Sequence, residues 1–314
     1  MPTVVVRHDL DIAPAIAARR NDIDLIDAID RDEALAALAD ADIFVVNPAN
    51  WDDAFADVLG DGDWVQATSI GYDAFPIEQF RAGGVMFTNA SGNYGPAVAE
   101  HVFAMAFAHS RHLREFGCMQ RDHRWDRSIG LELSDWIDGT MTVLGLGNLG
   151  EVIAERGRAF SFDVYGVKRD PDEYEGCLSD GRVLGSDEWR TVLPETDLLV
   201  AAVPLTDETR EMVDGDAFRA LPATAYVINV ARGPVVDEPA LINALEAGEI
   251  GGAGLDVFET EPLPTDSPLW DREDVIITPH VAGRSDGFAD RFADLFLENF
   301  DRLLAGQELR NRIV

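Results

Sequence analysis

Lysine is all but missing from this chain: of its 25 basic residues one, Lys168, is lysine and the other 24 are arginine. The basic residues are themselves outnumbered, with 58 aspartates and glutamates giving a formal net charge of −33. That balance excludes nucleic acid as a partner, because duplex binding needs a stripe of cations against the phosphates. Cysteine is equally scarce. Cys118 and Cys177 stand far apart without metal-ligand spacing, which excludes a disulfide framework and a cysteine-based metal centre. No run approaches the ~20 uninterrupted apolar residues of a membrane helix, so no membrane partner is expected. The start, Met1-Pro2-Thr3-Val4-Val5-Val6-Arg7-His8-Asp9, reaches charge before a signal-peptide apolar segment develops. A soluble, cytoplasmic protein is expected.

What is present is apolar material for two cores. The chain has 314 residues, 46% of them hydrophobic, and a chain of this length normally splits into two domains. The carboxylates are dispersed through that background, as in Asp22, Asp24, Asp27, Asp30, Asp32 and Glu33, and read as a solvated surface instead of a disordered tail. Self-repulsion among them strains a compact fold at low salt, whereas molar salt shortens the Debye length to ~3 Å. A salt-rich cytoplasm, and hence a halophilic protein, is the expectation.

Short β-branched runs alternate with amphipathic ones: Thr3 to Val6, Ile43 to Val46, Trp64 to Gln66 and Val85 to Thr88. A long apolar helix from Pro96 to His112 suits a connection between domains, and a polar, aromatic-studded stretch, Cys118 to Arg127, follows with no clear period. A second series then runs through Thr140 to Leu144, Val164 to Val167, Leu198 to Val203, Tyr226 to Val230, Gly252 to Val257 and Val275 to Thr278. Such alternation predicts α/β architecture with parallel sheets, the six later strands forming a dinucleotide-binding sheet. The helix Phe288 to Leu304 is expected to return to the first domain. The boundaries that follow are 1–95 plus 285–314 for a substrate domain and 96–284 for a dinucleotide domain.

Within the second series, Met141-Thr142-Val143-Leu144 leads into Gly145-Leu146-Gly147-Asn148-Leu149-Gly150, and a helical pattern continues from Glu151. Strand, glycine turn and helix start occur in the order that dinucleotide binding requires. Gly145 permits the turn, Gly147 lets backbone approach the pyrophosphate, Gly150 allows close packing, and the start at Asn148 and Leu149 offers N–H groups to the anion. The next strand ends Val167-Lys168-Arg169-Asp170, where an acidic residue normally accepts from the ribose 2′-hydroxyl of NAD. Two cations at that point, one of them the sole lysine, suit a 2′-phosphate instead. NADP(H) is therefore the expected cofactor, with NAD(H) still usable because Asp170 lies beside the pair.

Three later segments carry chemistry, each just past a predicted strand: Asn229-Val230-Ala231-Arg232-Gly233, Leu255-Asp256-Val257-Phe258-Glu259-Thr260-Glu261-Pro262-Leu263-Pro264, and Ile277-Thr278-Pro279-His280-Val281-Ala282-Gly283. Open α/β sheets place ligands at the carboxyl ends of their strands. A cation there can bind a carboxylate and polarise a carbonyl, and a histidine beside a carboxylate can deliver a proton in a fixed orientation.

From Thr68 to Gly283 the order of these motifs resembles the D-isomer-specific 2-hydroxyacid dehydrogenases. The resemblance implies two doubly wound, Rossmann-like domains with the active site in a cleft between them. It also implies a catalytic trio of Arg232, Glu261 and His280, acting on a small 2-ketoacid or its 2-hydroxyacid with hydride from the dihydronicotinamide. Thr68-Ser69-Ile70-Gly71-Tyr72-Asp73 is similar to the family's glycine loop, so that the backbone of Ile70 and Gly71 would hold the substrate carboxylate. By the same likeness Asp256 would bind the nicotinamide carboxamide, while Val203, Pro204, Val230, Ala231 and Gly283 would line the cofactor. A homodimer is implied, with Phe103, Phe107 and Trp125 as its expected exposed apolar surface.

Departures and rivals belong to the same reading. Gly283 is followed by Arg284-Ser285-Asp286, where many relatives continue with small residues, and this bears on contacts near the nicotinamide and on substrate range. His101, after Glu100 on the long helix, has two readings, an approach to the cleft or a packing or interface role, and the second is preferred for a helix histidine. The close rival within the family is a formate or phosphite dehydrogenase, and Glu261 argues against the formate enzymes, whose histidine pairs with glutamine. A phosphoglycerate dehydrogenase with a regulatory domain is not expected in a chain ending at Val314. Glyoxylate or hydroxypyruvate reduction stays open. A cofactor-sensing, corepressor-like binding protein is the alternative from another class, and the intact trio weighs against it.

Overall fold

The run Thr3–Arg7 forms the first strand, β1, and its central Val4, Val5 and Val6 are each at most 1% exposed. Burial on both faces is what a parallel strand covered by helices demands, and it explains three consecutive valines in place of an alternating pattern. The computed structural model describes residues 1–131, 133–179 and 181–314. Two compact units divide the chain, Met1–Tyr94 with Ser285–Val314, and Gly95–Arg284.

After β1 the first unit continues through α1 (Ile12–Ala17), β2 (Asp24–Asp27), α2 (Arg31–Leu38), β3 (Ile43–Val46), α3 (Asp53–Ala56), β4 (Trp64–Ala67), α4 (Ile77–Gly83) and β5 (Met86–Thr88). The second runs through α5 (Gly95–Ser110), α6 (Leu113–Arg121), β6 (Thr140–Leu144), α7 (Asn148–Ala159), β7 (Asp163–Val167), β8 (Val183–Leu184), β9 (Leu198–Ala201), α8 (Gly215–Ala220), β10 (Tyr226–Asn229), α9 (Glu238–Ala247), β11 (Gly252–Leu255) and β12 (Val275–Ile277). Helix α10 (Phe288–Leu304) then completes the first unit.

The first unit's sheet is parallel, in the order β2-β1-β3-β4-β5. Successive side chains feed opposite layers: Val4 and Val6 join Ile12, Ile16 and α10 on one face, Val5 joins Phe44, Phe55 and Phe80 on the other. Helix α10 is fixed by its four-residue spacing. Phe288, Phe292, Phe296 and Phe300 fall on one face, each at most 2% exposed, and Phe296 stacks on Trp64 with centroids 5.3 Å apart. At roughly 1.5–3 kcal/mol per buried phenylalanine, this stripe is a large share of what holds α10 in place.

The second unit's sheet is also parallel, in the order β12-β11-β10-β9-β6-β7-β8. Strand order reverses between β9 and β6, the topological switch point at which doubly wound sheets bind ligands. Both sheets are thus the parallel, doubly wound kind expected. Two edge strands went unread. Asp24–Asp27 offers only Leu25 and Ile26 between carboxylates, and Val183–Leu184 has two residues, so neither shows a period. Helix α6 covers the front of the stretch read as aperiodic. Phe103 is corrected from the expected exposed surface: it is buried at 4% against Phe107, Phe160 and Phe162, whereas Trp125 is 91% exposed.

Candidate active site

Six loops of the second unit leave the carboxyl edge of one parallel sheet, and they carry most of the residues singled out from the sequence. The first is the glycine turn between β6 and α7. Gly145 has φ +97°, and a β-carbon there would meet Val203 Cγ1 at 2.8 Å and the Ala202 carbonyl oxygen at 2.9 Å. Gly150 lies still closer to its neighbour, since a β-carbon would fall 1.7 Å from the Gly145 carbonyl oxygen. Gly147 is the opposite case, with open space where its β-carbon would stand. It is also the N-cap of the twelve-residue α7 and brings no side chain to cap it, so the N–H groups at Asn148, Leu149 and Gly150 begin the helix beside an open approach. Two glycines demanded by packing and one facing open space fit a pyrophosphate cradle.

Strand β7 ends at Val167, and the next two residues are the half-buried Lys168 and the exposed Arg169. The following loop is tied back to the first turn of α7 by Glu151, which accepts from Tyr174 Oη at 2.7 Å and from the Cys177 N–H at 2.5 Å. From the β9 side, Val203 packs on the glycine turn, and Thr209 Oγ1 donates to the Pro204 carbonyl at 2.6 Å while accepting from Thr206 N at 2.8 Å. Glu208 in this loop is held below the usual carboxylate range, chiefly by a hydrogen bond from Thr206 and in smaller part by the charge of Arg169. Neither Glu151 nor Glu208 was legible as part of the site.

The next three loops lie on adjacent strands, with Asn229 opposite Leu255 and Leu255 opposite Ile277 in the register. Buried Asn229 shapes the β10 exit: its Oδ1 accepts from Ala231 N at 3.0 Å and its Nδ2 donates to the Arg232 carbonyl at 2.9 Å. Val230 and Ala231 are buried, and Arg232 is half-buried with Nη1 donating to the Ala231 carbonyl at 2.7 Å. After β11, Glu261 Oε1 accepts from Phe258 N at 3.1 Å, which closes the loop and aims the other oxygen outward. That oxygen, Oε2, lies 2.8 Å from His280 Nδ1 on the β12 loop.

His280 has φ +52°, an unusual conformation for a residue with a β-carbon. The turn is held from below. His280 N donates to the Asp256 carbonyl at 2.8 Å, while the Asp256 carboxylate accepts from Val281 N at 2.9 Å and Ala282 N at 2.9 Å. Asp256 is 2% exposed, so its carboxylate is engaged by the His280 loop. Gly283 follows, half-buried, before the chain leaves the unit. The structure therefore joins Glu261 and His280 directly and seats Arg232 on the neighbouring strand end.

Ile70 and Gly71 belong to the first unit, at the carboxyl end of β4. The carbonyls of this loop are occupied: Thr68 by Tyr94 Oη, Ser69 by Ala90 N at 2.8 Å, Ile70 by Asn89 Nδ2 at 2.8 Å and Gly71 by Ser69 Oγ at 2.5 Å. Among the described residues no acceptor faces the N–H of Ile70 or Gly71. A loop with its acceptors spent and its donors open suits a carboxylate. Asn89 and Tyr94, which hold it, were not anticipated; an asparagine at the end of a strand, just past β5 at Asn89 and closing β10 at Asn229, is the signal that could have found the first.

Among the described residues there is no cluster of three or more histidine, cysteine, aspartate or glutamate side chains that could hold a metal. A glycine cradle at the switch point, with an imidazole and a carboxylate paired at 2.8 Å on the strand ends beyond it, defines a dinucleotide-dependent oxidoreductase. Residues 103–282 match the model of the D-isomer specific 2-hydroxyacid dehydrogenase NAD-binding domain. The chain is 31% identical over 297 residues to glyoxylate/hydroxypyruvate reductase B of Yersinia pestis, covering 93% of this chain and 89% of that one. Among solved structures, it is similar to a D-isomer specific 2-hydroxyacid dehydrogenase family protein from Aeromonas salmonicida, with a TM-score of 0.86, 30% identity and coverage of 100% and 99%. It is also similar to an NADPH-dependent glyoxylate/hydroxypyruvate reductase from Sinorhizobium meliloti, with a TM-score of 0.81, 26% identity and coverage of 100% and 98%. The chain belongs to the D-isomer specific 2-hydroxyacid dehydrogenase family and is an oxidoreductase.

Proposed function

We propose that this protein reduces a small 2-ketoacid to the D-2-hydroxyacid, and catalyses the reverse reaction, using NADPH in preference to NADH. The observation that carries the reading is the 2.8 Å contact between His280 Nδ1 and Glu261 Oε2. With Nδ1 committed to a carboxylate, Nε2 is the ring nitrogen left to exchange a proton with substrate. The reduced nicotinamide, when bound, supplies the hydride.

Each residue then has a part. The backbone N–H groups of Ile70 and Gly71 hold the substrate carboxylate. Arg232 binds the carboxylate and polarises the 2-carbonyl through its planar fork. His280 gives its Nε2 proton to the developing alkoxide, and Glu261 fixes the orientation of the ring. Gly145, Gly147, Asn148, Leu149 and Gly150 take the pyrophosphate, and Lys168 and Arg169 take the 2′-phosphate. Val203, Pro204, Val230, Ala231 and Gly283 line the cofactor, while Asp256 serves the nicotinamide end through the loop it holds. The first unit is thus the substrate domain and the second the dinucleotide domain.

Glyoxylate or hydroxypyruvate is the substrate class favoured within this reading, because the Yersinia and Sinorhizobium relatives carry those names. The net charge of −33 supports a halophilic protein of a salt-rich cytoplasm, and the exposed Trp125 supports a homodimer. A concentration-independent monomer by sedimentation in molar salt would remove the dimer. The function is tested by following reduced-nicotinamide absorbance in molar salt with a panel of 2-ketoacids and either cofactor. Faster oxidation of NADPH, abolished in both His280→Ala and Arg232→Ala, is expected. Tight NADPH binding without turnover of any ketoacid would favour a cofactor-sensing protein instead.

A further inference from the structure

Helix α5 sends one polar side chain toward the β12 loop. His101 Nε2 lies 2.9 Å from Thr278 Oγ1, and Thr278 Oγ1 lies 2.6 Å from Asp256 Oδ1. The threonine hydroxyl has one proton. At 2.6 Å from a buried carboxylate that proton points to Asp256, so Thr278 Oγ1 accepts from His101 and the His101 proton sits on Nε2. The same nitrogen is 3.8 Å from Asp256 Oδ1, and among the described residues no other basic side chain comes within 4.0 Å of that carboxylate.

Asp256 is the post on which the His280 turn is hung. Its backbone carbonyl takes the His280 N–H, and its carboxylate takes the N–H groups of the two residues that follow. The turn places His280 at φ +52°, which it will not keep without support. A carboxylate 2% exposed holds that arrangement only while its own lone pairs and charge are compensated. Thr278 and, behind it, His101 provide that compensation from a rigid helix.

We propose that His101 is a positioning residue: through the Thr278 hydroxyl it orients the Asp256 carboxylate and thereby fixes the turn that presents His280. The catalytic consequence rests on the reading of His280 as the proton donor; the structural one does not. His101 reaches no reacting atom in this scheme, and its effect is on how well His280 is aimed. A misplacement of about 1 Å at a proton donor can cost on the order of 100-fold in rate.

The test uses the full-length protein and four variants, His101→Ala, His101→Gln, Thr278→Val and Thr278→Ser. Amide hydrogen exchange is followed over 276–284 and over α5, alongside kcat and KM with glyoxylate, hydroxypyruvate and NADPH. His101→Ala and Thr278→Val should speed exchange at Val281 and Ala282 about tenfold, with α5 unchanged, because only those amides lose their anchor. Both should lower kcat about 10- to 100-fold with KM little altered. Thr278→Ser, which keeps the hydroxyl, and His101→Gln, which keeps an N–H near the same point, should stay close to the parent. Unchanged exchange at 281 and 282 in His101→Ala would overturn the proposal. So would faster exchange spread along α5, which would make His101 a packing residue only. If the parent reduces no ketoacid, the functional reading fails and the exchange data still decide this one.

Discussion

His280 Nδ1 and Glu261 Oε2 meet at 2.8 Å although they leave different strands, and each is locked from its own side: Glu261 by the Phe258 N–H, His280 by the Asp256 carbonyl. The pair is half open to water, with side chains 52% and 36% exposed, so its worth to folding is small and its geometry matters for chemistry. Glu261→Gln keeps the shape and removes the charge. It should lower kcat about 10- to 100-fold and shift the melting temperature little, while His280→Ala should cost about 100- to 10,000-fold. Equal kcat in Glu261→Gln and the parent would remove the carboxylate from the mechanism.

The glycine turn makes a sharper contrast. An alanine at 150 would put its β-carbon 1.7 Å from the Gly145 carbonyl oxygen, so turn and helix must part. Gly150→Ala should destabilise by at least about 2 kcal/mol. At Gly147 the backbone, with φ −90°, accepts alanine and the β-carbon meets nothing. Gly147→Ala should therefore melt within about 0.5 kcal/mol of the parent yet bind NADPH about tenfold more weakly. Thermal unfolding and a fluorescence titration of NADPH separate the two; unimpaired binding in Gly147→Ala would deny that backbone approaches the cofactor there.

The difference between what was and was not legible follows from what each kind of signal needs. Val4-Val5-Val6, the α10 phenylalanines and the glycine turn announce themselves because burial and backbone geometry constrain residue type at consecutive or evenly spaced positions. Strands β2 and β8 do not, since an edge strand of four or two residues carries too few buried side chains to set a period. Arg232, Glu261 and His280 could be read because each follows a strand in a motif. The residues that aim His280, Asp256 as an anchor, Thr278 and His101, act across 22 to 177 positions of sequence, and only folding shows those pairings. Phe103 was misjudged for the same reason: on a helix apolar nearly all round, sequence does not say which face is covered.

Arg169 is the test of cofactor choice. It is exposed at the β7 exit, and Glu208 across from it is an acid that a 2′-phosphate would have to face. Arg169→Ala should raise KM for NADPH about 10- to 100-fold, the loss of a hydrogen bond between charged groups, and leave KM for NADH within about a factor of three. Glu208→Gln should move the ratio the other way by removing the like charge. Measurements at fixed salt are essential, since molar salt screens exposed charges beyond ~3 Å. If Arg169→Ala weakens both cofactors equally, the cation serves the pyrophosphate or the fold and not the 2′-phosphate.

His109 gives the pH dependence of folding a definite sign. It stacks on Tyr226 with ring centroids 4.1 Å apart beneath α5, and burial, with a smaller push from His112, holds its pKa below the ordinary 6.5. The folded protein thus resists the proton that the unfolded chain accepts. Above pH ~6.5 both states are neutral at this site and its contribution to stability is complete. As pH falls below ~6.5 the unfolded state binds a proton that the folded state does not, and stability declines until the lower folded pKa is reached. Between pH 7.5 and 5.5 the melting temperature should fall in the parent and fall less in His109→Phe, which keeps the stacking ring without the titration. That window lies above the range in which most carboxylates protonate. Parallel melting curves for the two proteins across it would show that His109 is not held neutral by the fold.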